Sequence, residues 1–595
     1  MSNKSPLNQD VGLVTYKIKI EGSPIKDTYE LMSIKIDRCV NKISKASLVF
    51  NDGFVHNQKF PISDSKDFLP GNKIEIQLGY KNKEDKVFEG IVISQKLKIN
   101  NNNSFLRIEC RDKAVVMTKS KKNKLFKESK DSDAISKIIK ENGLQDKVDA
   151  TKVTHPELIQ YYSTDWDFVL NRALFNGLLI FTNNGKMEVG SPDFSKEPIF
   201  DIEYGDSILE FDARINTIEQ FDSVESLSWN FGKQEIDKGL SKEPKSSNQG
   251  KLTGVKLAQS MKHKKYLQHT GSTTDKSELE VWSNTTLERQ RLSKIIGHVS
   301  FQGSAQVLPF EILNLVGVGE QFQGKVFVTR VVHQVEEGEW ITTAYFGIEE
   351  DLYMPLTKSN SQMSSELLHG IHGLHIAKVI KIIDDPLNQN RVQIKLPLLE
   401  PDVQYVWARL SQFTASNDFG AFFYPEIDDE VIVAFLNNDP RYPIILGSLY
   451  SSQLKPAEKS DEKNTFKSIK TSCGHKITFD DDKKILTLET PTKNMIVFSD
   501  DEEAIKISDQ HSNEILMDKD GIKLDSSKDI KLTAKGKISL SAGAAIQLEA
   551  KADVTVSGNN ISNSAEIGFT AKGNATAELS ASGNTTVKGA MVMIN

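Results

Sequence analysis

Residues 522–560 read IKLDSSKD IKLTAKGK ISLSAGAA IQLEAKAD VTVSGNN when broken every eight residues. One column holds Ile522, Ile530, Ile538, Ile546 and Val554, a second Leu524, Leu532, Leu540, Leu548 and Val556, and a third Ala534, Ala542, Ala550 and Gly558. Between them stand Lys, Ser, Thr, Gln, Glu and Asp, and alternation at period two marks a strand with one dry and one wet face. Three apolar positions in eight cannot enclose a core in one chain. Each octad must therefore stack on its neighbours and, with so narrow a stripe, on other chains. The pattern predicts an intertwined multi-chain β-prism with the Ile, Leu and Val of the first two columns on its axis. A single-chain β-solenoid and an ordinary antiparallel sheet are the alternatives.

Past Gly558 the columns fail through NNISNSAE and resume at Ile567 and Phe569, with Ala575, Ala577 and Leu579 following. The slip is expected to be a bulge or loop in a shaft that continues. At the end of the chain Met591, Met593 and Ile594 keep the alternation, which predicts a small apolar blunt end.

The chain has 595 residues, too many for one core, and about three or four domains are expected. A formal charge of −7 gives no electrostatic pull toward nucleic acid or an anionic membrane. Cys39, Cys110 and Cys473 are far apart, odd in number and without a C-x-x-C pair, so neither a disulfide framework nor a structural zinc site is expected. The start, MSNKSPLNQDVGLV, lacks an apolar h-region, and no run approaches the ~20 apolar residues of a membrane span. Neither a signal peptide nor a transmembrane helix is expected.

Upstream of the octads, residues 15–98 alternate as strands in TYKIKI, YELMSIKID, ASLVF, KIEIQLGY and VFEGIVISQKLKI, which predicts a small antiparallel barrel or sandwich. Helix signals follow Lys130: Asp131 to Asp133 offer N-caps, Ile135, Ile138 and Ile139 form a stripe, and Gly143 stops it. In STDWDFVLNRALFNGLLIFTNNGKMEVG, Thr164 and Asp167 resemble a capping box, Trp166, Val169, Leu170 and Ala173 make an apolar stripe, and Gly177 ends the helix. A hairpin over Leu178 to Val189 with an Asn-Asn-Gly turn completes the unit. Asp165 and Asp167 invite reading as a catalytic pair, but acids at a helix start complement the dipole and need no other role. Residues 242–251 read as a surface excursion, residues 287–298 as a short helix, and residues 299–348 as a second barrel.

His369, His372 and His375 sit at i, i+3, i+6 in a linker interrupted by Gly370 and Gly373, and a flexible hinge accounts for them better than a metal site. From Ile376 to Tyr450, five short strands suit an OB-type barrel. Its Arg391, Arg409 and Arg441 are scattered, and the run Phe419, Phe422, Phe423, Tyr424 reads as core or subunit contact rather than a base-stacking platform.

WDFVLNRALFNGLLIF, the pair GKVFVTRVVHQVEEGEWITTAYFG, and FGAFFYPEIDDEVIVAFLNNDPRYPIILGSLY followed by octads are together similar, in order and over nearly the whole chain, to the valine-glycine repeat (VgrG) spike proteins of type VI secretion and related contractile injection systems. They also resemble the fused hub and needle of contractile phage tails. The resemblance implies a mainly β fold: two hub β-barrels with a mixed α/β insertion, an OB-fold barrel, and a C-terminal intertwined trimeric β-helix. On this chain the divisions are 1–120 for the first hub barrel, 121–230 for the insertion, 231–355 for the second barrel, 356–375 for a linker, 376–450 for the OB domain, 451–475 for a neck and 476–595 for the spike.

The resemblance implies a non-enzymatic homotrimer without cofactor. It would be assembled in the bacterial cytoplasm and carried in a secreted or injected particle. Its partners would be the inner tube protein, baseplate proteins, effectors and a PAAR-type tip protein seated on Met591, Met593 and Ile594. The shaft has few literal Val-Gly pairs, the space between Tyr450 and Ile477 is too short for an inserted lysozyme domain, and no His-x-His tip is present. A cell-wall hydrolase and a β-helical carbohydrate-binding tailspike are the alternative functions. A cell-wall hydrolase finds no G-x-S-x-G, H-E-x-x-H or P-loop here, and the acids at Asp480 to Asp482 and Asp500 to Glu503 read as turns. A carbohydrate-binding tailspike needs an aromatic groove, yet Phe569 is the one aromatic after Ile505.

Overall fold

The structure is a computed structural model, and it describes residues 5–7, 12–56, 58–100, 103–230, 235–245, 249–270, 274–349, 352, 363–364, 368–396 and 405–594. The chain divides into two compact units, Met1–Pro456 and Ala457–Asn595.

In the first unit the expected alternation of residues 15–98 becomes strands Val14–Ile20, Glu30–Cys39, Lys45–Asn51, Lys73–Tyr80 and Lys83–Ile99, joined by Ser104–Arg111. Ile34, Ile36, Leu48, Phe50, Ile76, Leu78 and Ile108 point into one core and are essentially inaccessible. A second core gathers Val299, Phe301, Leu313, Val328 and Phe346. The two hub cores hang on one 13-stranded sheet. The seam is the antiparallel pairing of Glu30–Cys39 with Gly324–Glu336, in which Ile34 faces Val335 and Cys39 faces Arg330. Across it the Arg330 guanidinium donates two bonds to Asp37, at 2.8 and 2.9 Å. Val335 and Trp340, from the later strands, are buried in the first core.

The second sheet draws on residues upstream of the expected boundary at 231: Phe200–Glu203 pairs with Ile312–Val316, and Glu210–Ile215 with Ile295–Gln302. Residues 231–355 also hold more than a barrel. Glu235–Leu240 and Lys265–Thr270 flank Ser223–Asn230 in a separate three-stranded sheet. A long helix packs on this sheet so closely that a Cβ on Gly239 would lie 2.4 Å from the Leu279 backbone.

Four α-helices are described: α1 Asp131–Glu141, α2 Asp165–Phe175, α3 Gly254–Met261 and α4 Lys276–Leu292. The expected helix over 287–298 is the end of α4, and Ile295 onward turns to strand because Ile295 and Ile296 pair with Ile215 and Arg214. Burial of Leu279, Trp282 and Leu287 holds the Thr-rich middle of α4 helical against its weak propensity. At α1 the N-cap is Lys130 and Asp131 is already helical, which corrects the capping role expected of Asp131. At α2, Thr164 caps as expected, its Oγ1 accepting from the Asp167 N–H at 3.1 Å. Asn184 and Gly185, both at positive φ, turn the hairpin Leu179–Asn183 to Lys186–Gly190.

Strands His375–Lys381, Val392–Lys395, Val406–Leu410, Pro443–Ser448 and Glu430–Phe435 close into a five-stranded barrel in that spatial order. Its core is Ala377, Val379, Val392, Ile394, Val406, Val431, Val433 and Ile445.

The second unit has two parts where one uninterrupted β-helix from 476 was expected. Seven five-residue strands run as an antiparallel meander from Phe466–Lys470, inside the expected neck, to Gly521–Asp525. From 526 to 594 no residue lies in a strand paired within its own chain, and all from 527 onward are exposed.

Candidate functional site

The meander presents one apolar face. Phe479, Leu486, Phe498, Ile505, Met517 and Ile522 lie opposite one another in successive strands and form one row. Ile477, Leu488, Ile496, Ile507, Ile515 and Leu524 form the row beside it. Positions directly opposite share a face, and positions two apart along a strand share it too. Thr478, Thr487, Val497, Lys506, Leu516 and Lys523 form the central row of the other, more polar face. Ile522 and Leu524, the first of the columned residues, are thus the last pair of these rows, and the octads prolong them.

Past Asp525 the backbone bends at 527, 535, 543, 551, 559, 566, 574, 582 and 590. Every interval is eight except the one from 559 to 566, which is seven. The slip is therefore one coil shortened by a residue, in place of the expected bulge or loop. Exposure follows the same phase: Ile530, Ile538, Ile546 and Val554 stand at 52–59% and Leu532, Leu540, Leu548 and Val556 at 67–73%. Counting from the bends puts Phe569, Ala577, Leu579 and Met593 in phase with these columns. Ile567 and Ala575, expected to resume them, fall beside the bends, and Ile567 is fully exposed. Met591 shares that corner phase, and Ile594 lies one residue past the inner position of Met593.

The barrel is bound into the rest of its unit by a buried charge cluster. Arg441 donates to Glu278 Oε1 of α4 at 2.7 Å and to Asp439 Oδ1 and Oδ2 at 3.1 and 2.9 Å. Leu125 and Ile159, from the antiparallel pair Lys121–Lys130 and Thr154–Thr164, complete the barrel's core. On that pair Glu157 is partly buried. Desolvation pushes its carboxyl up to about 7 despite Lys127, Arg391 and the Trp407 backbone N–H, which pull it down. In the turn after the first barrel strand, Asp385 is held down at about 2 against its desolvation by Arg391 and the N–H groups of Leu387, Arg391 and Gln389. These partners occupy two of the three scattered arginines, Arg391 and Arg441.

Of the run expected in core or subunit contact, Tyr424 packs against the barrel core, whereas Phe419, Phe422 and Phe423 stand 73, 83 and 57% exposed on a loop, joined by Phe413 at 86%, which rules out the core for these three and leaves subunit contact. Asp165 and Asp167 do not form a pair. Asp165 is buried and accepts from Lys122, Asn142 and Gln160 at 2.6, 2.8 and 3.0 Å, while Asp167 gives its N–H to the cap. Among the linker histidines, His375 bonds Tyr161 Oη through Nδ1 at 3.2 Å and the His372 carbonyl through Nε2 at 3.0 Å. The side chain of His369 lies outside the described set. Asp480 accepts from the N–H groups of Asp482 and Lys483, closing the first acidic turn.

A 240 Å³ cavity lies at the hub seam between Cys39, Arg214, His298, Arg330 and Tyr345. Arg330 pairs there with Asp37 and Arg214 with Glu349 at 3.7 Å, and the His298 ring lies 3.8 Å from Glu210. Among the described residues no three His, Cys, Asp or Glu are grouped to hold a metal. Sequence reasoning missed Glu278, Asp439 and Arg441 as a cluster, because Asp-Pro-Arg reads locally as a turn and its partner is 163 residues away.

A hub on a continuous sheet, an OB barrel and a shaft of repeating octads define the VgrG-like spikes of type VI secretion and phage tails, and the comparisons agree. The chain belongs to the family described as the Alg8 N-terminal domain, which matches residues 10–337. Residues 375–450 match the type VI secretion system/phage-baseplate injector OB domain, whose limits coincide with the closed barrel. A 65-residue stretch, 11% of this chain, is 40% identical to the actin cross-linking toxin VgrG1 of Vibrio cholerae. A 47-residue stretch, 8% of the chain, is 45% identical to the type VI secretion system spike protein VgrG1a of Pseudomonas aeruginosa. The matched stretches span only 6 and 7% of those curated relatives. The structure of a Francisella PdpA-VgrG complex is similar in fold at a TM-score of 0.51, with 12% identity over 87% of this chain and 81% of that one.

Proposed function

We propose that the protein is the homotrimeric central spike of a contractile injection system, joining an inner tube and baseplate to a rigid needle that punctures an envelope. The observation that carries this is the condition of residues 526–594. Their backbone makes no strand pairing in its own chain, and their Ile and Leu columns are more than half exposed. Unpaired peptide groups and apolar columns are both costly in water, and a threefold prism supplies partners for both at once. In it Ile522, Leu524, Ile530, Leu532, Ile538, Leu540, Ile546, Leu548, Val554 and Val556 form the dry axis. Closure also removes lateral strand edges, which keeps the shaft from aggregating.

On this reading residues 1–355 are the hub and its insertion, 356–375 a linker, 376–450 the OB collar, 451–475 the neck and 476–595 the needle. The protein carries no cofactor and performs no chemistry of its own; sheath contraction supplies the energy. It is assembled in the bacterial cytoplasm with tube and baseplate proteins, and leaves as part of the particle, with effectors as cargo. Light scattering on the purified chain should give three times 66.5 kDa; a monodisperse monomer would refute the spike.

Met591, Met593 and Ile594 stand 80, 83 and 91% exposed at the end of the described chain. In the trimer they present an apolar end that a separate conical PAAR-type tip protein covers by adding strands. Truncation after Lys588 should abolish tip binding and injection with the trimer intact. Normal injection by the truncated spike would exclude this role for the end.

A further inference from the structure

The loop between the third and fourth barrel strands, Val406–Leu410 and Glu430–Phe435, holds four phenylalanines in the open: Phe413, Phe419, Phe422 and Phe423. It is a built structure. Ala421 N–H bonds the Thr414 carbonyl at 3.0 Å, Ser416 N–H bonds the Phe419 carbonyl at 3.0 Å, and Gln412 Nε2 bonds the Phe423 carbonyl at 2.7 Å. The tip needs its glycine: Gly420 has φ +141°, and a Cβ there would lie 2.8 Å from the Thr414 carbonyl oxygen. The rings of Phe422 and Tyr424 stand 4.9 Å apart. A loop held in this way loses little entropy on docking, and aromatic side chains bury about 150–250 Å² each.

An apolar patch of a different shape lies elsewhere on the same barrel. Ile376 faces Ile432 across neighbouring strands, and Leu446 sits at the bulge beside Ile432 on the next. Their neighbours Ala377, Val431, Val433 and Ile445 are in the core, so these three point outward, with Ile376 and Leu446 41 and 48% exposed. A knob on one face and an aliphatic surface on another is what a head-to-tail ring of identical barrels requires.

We propose that the Phe413–Phe423 loop of each barrel docks on the Ile376–Ile432–Leu446 face of the next copy of this chain, closing a three-barrel collar. The proposal rests on the trimeric reading of the shaft and adds a second interface to it. Two observations choose the occupant. Residues 449–465 join the barrel's last strand to the first strand of the meander, a tether of at most about 60 Å fully extended. Intertwined shafts therefore hold three barrels at an effective concentration of about millimolar, far above that of any free partner. The loop carries Asp418 and no cation, and Arg391 and Arg441 are engaged by Asp385 and by Glu278 with Asp439. A nucleic-acid strand would find aromatic faces there without the charge that holds its backbone.

The test places a photo-crosslinking residue in the purified full-length chain as Phe422→p-benzoylphenylalanine, with Leu540→p-benzoylphenylalanine as a separate shaft probe. Illumination of the Phe422 variant should yield covalent dimers and trimers, with adducts mapped by mass spectrometry to the strands carrying Ile376, Ile432 and Leu446. The yield should be unchanged over about a hundredfold dilution, because the partners are tethered. If the Leu540 probe links chains while the Phe422 probe links none, or maps to another surface, the collar is wrong and the trimer stands. If neither probe links chains and light scattering gives a monomer, the trimeric reading fails and the collar fails with it.

Discussion

Residues 375–448 and 526–594 are similar in length and opposite in kind. The barrel closes its strands on one another and buries its own core, so its strands take their backbone partners from neighbouring strands of the same chain. The octads have alternation just as regular, yet in one chain they pair with nothing and stay exposed. The meander between them is intermediate: its backbone is paired in its own chain, but both apolar rows remain half-exposed, with Phe498 at 42% and Ile507 at 39%. Hydrogen bonding and apolar burial, which coincide in most domains, are thus met in succession along this chain, first both, then one, then neither.

The largest effect should come from Leu540→Asp. In a threefold shaft it sets three carboxylates in a dry axis, costing about 3 kcal/mol or more per chain. Light scattering and the melting curve should show loss of the trimer. Trimers with an unchanged melting temperature would put Leu540 on the outside and dissolve the contrast with the barrel.

Arg441→Met tests the self-sufficient side. It strands Glu278 and Asp439 as buried unpaired acids, so the first unit should lose about 3–5 kcal/mol in a melting transition that does not depend on chain concentration. The shaft should hold the trimer through it; a concentration-dependent shift would mean that the barrel, too, depends on other chains.

A smaller effect belongs to Glu157. Its carboxyl titrates near 7 in the folded chain against 4.5 when unperturbed. The folded state therefore keeps a proton that the unfolded chain releases, and stability should fall as pH rises from about 4.5 through 7. Glu157→Gln should flatten that slope in thermal melts of the first unit; an unchanged slope would assign it to other groups. Smallest of all is Lys537→Asp, on the wet side of the octads, expected within about 0.5 kcal/mol of the parent by thermal melting.

Much was legible in the residues. The column spacing anticipated which shaft residues share a phase, because eight is a multiple of the strand period and the stripe survives any number of coils. The five barrel strands, the Thr164 cap and the Asn184–Gly185 turn were legible because each depends on neighbours in sequence. The Phe419–Phe423 run could be read only as core or subunit contact, since an aromatic cluster signals burial without saying by which molecule; the exposure of its phenylalanines in one chain removes the first of these. The shortened coil at 559–566 was visible only as a lapse of pattern, since its polar residues carry no phase until the bends supply one.

What the sequence determined by itself is local and periodic: strand, turn and cap, the apolar face of each repeat, and the want of neighbours for the octads. Tertiary structure alone decided that the two hub cores share one sheet through Glu30–Cys39 and Gly324–Glu336, that α4 begins at Lys276, and that Arg441 meets Glu278. It also decided where the meander yields to the octads at Asp525, although the apolar rows run straight through. The reason is that side-chain alternation records which face is dry, whereas the partner of a backbone N–H leaves no mark on the residue that carries it.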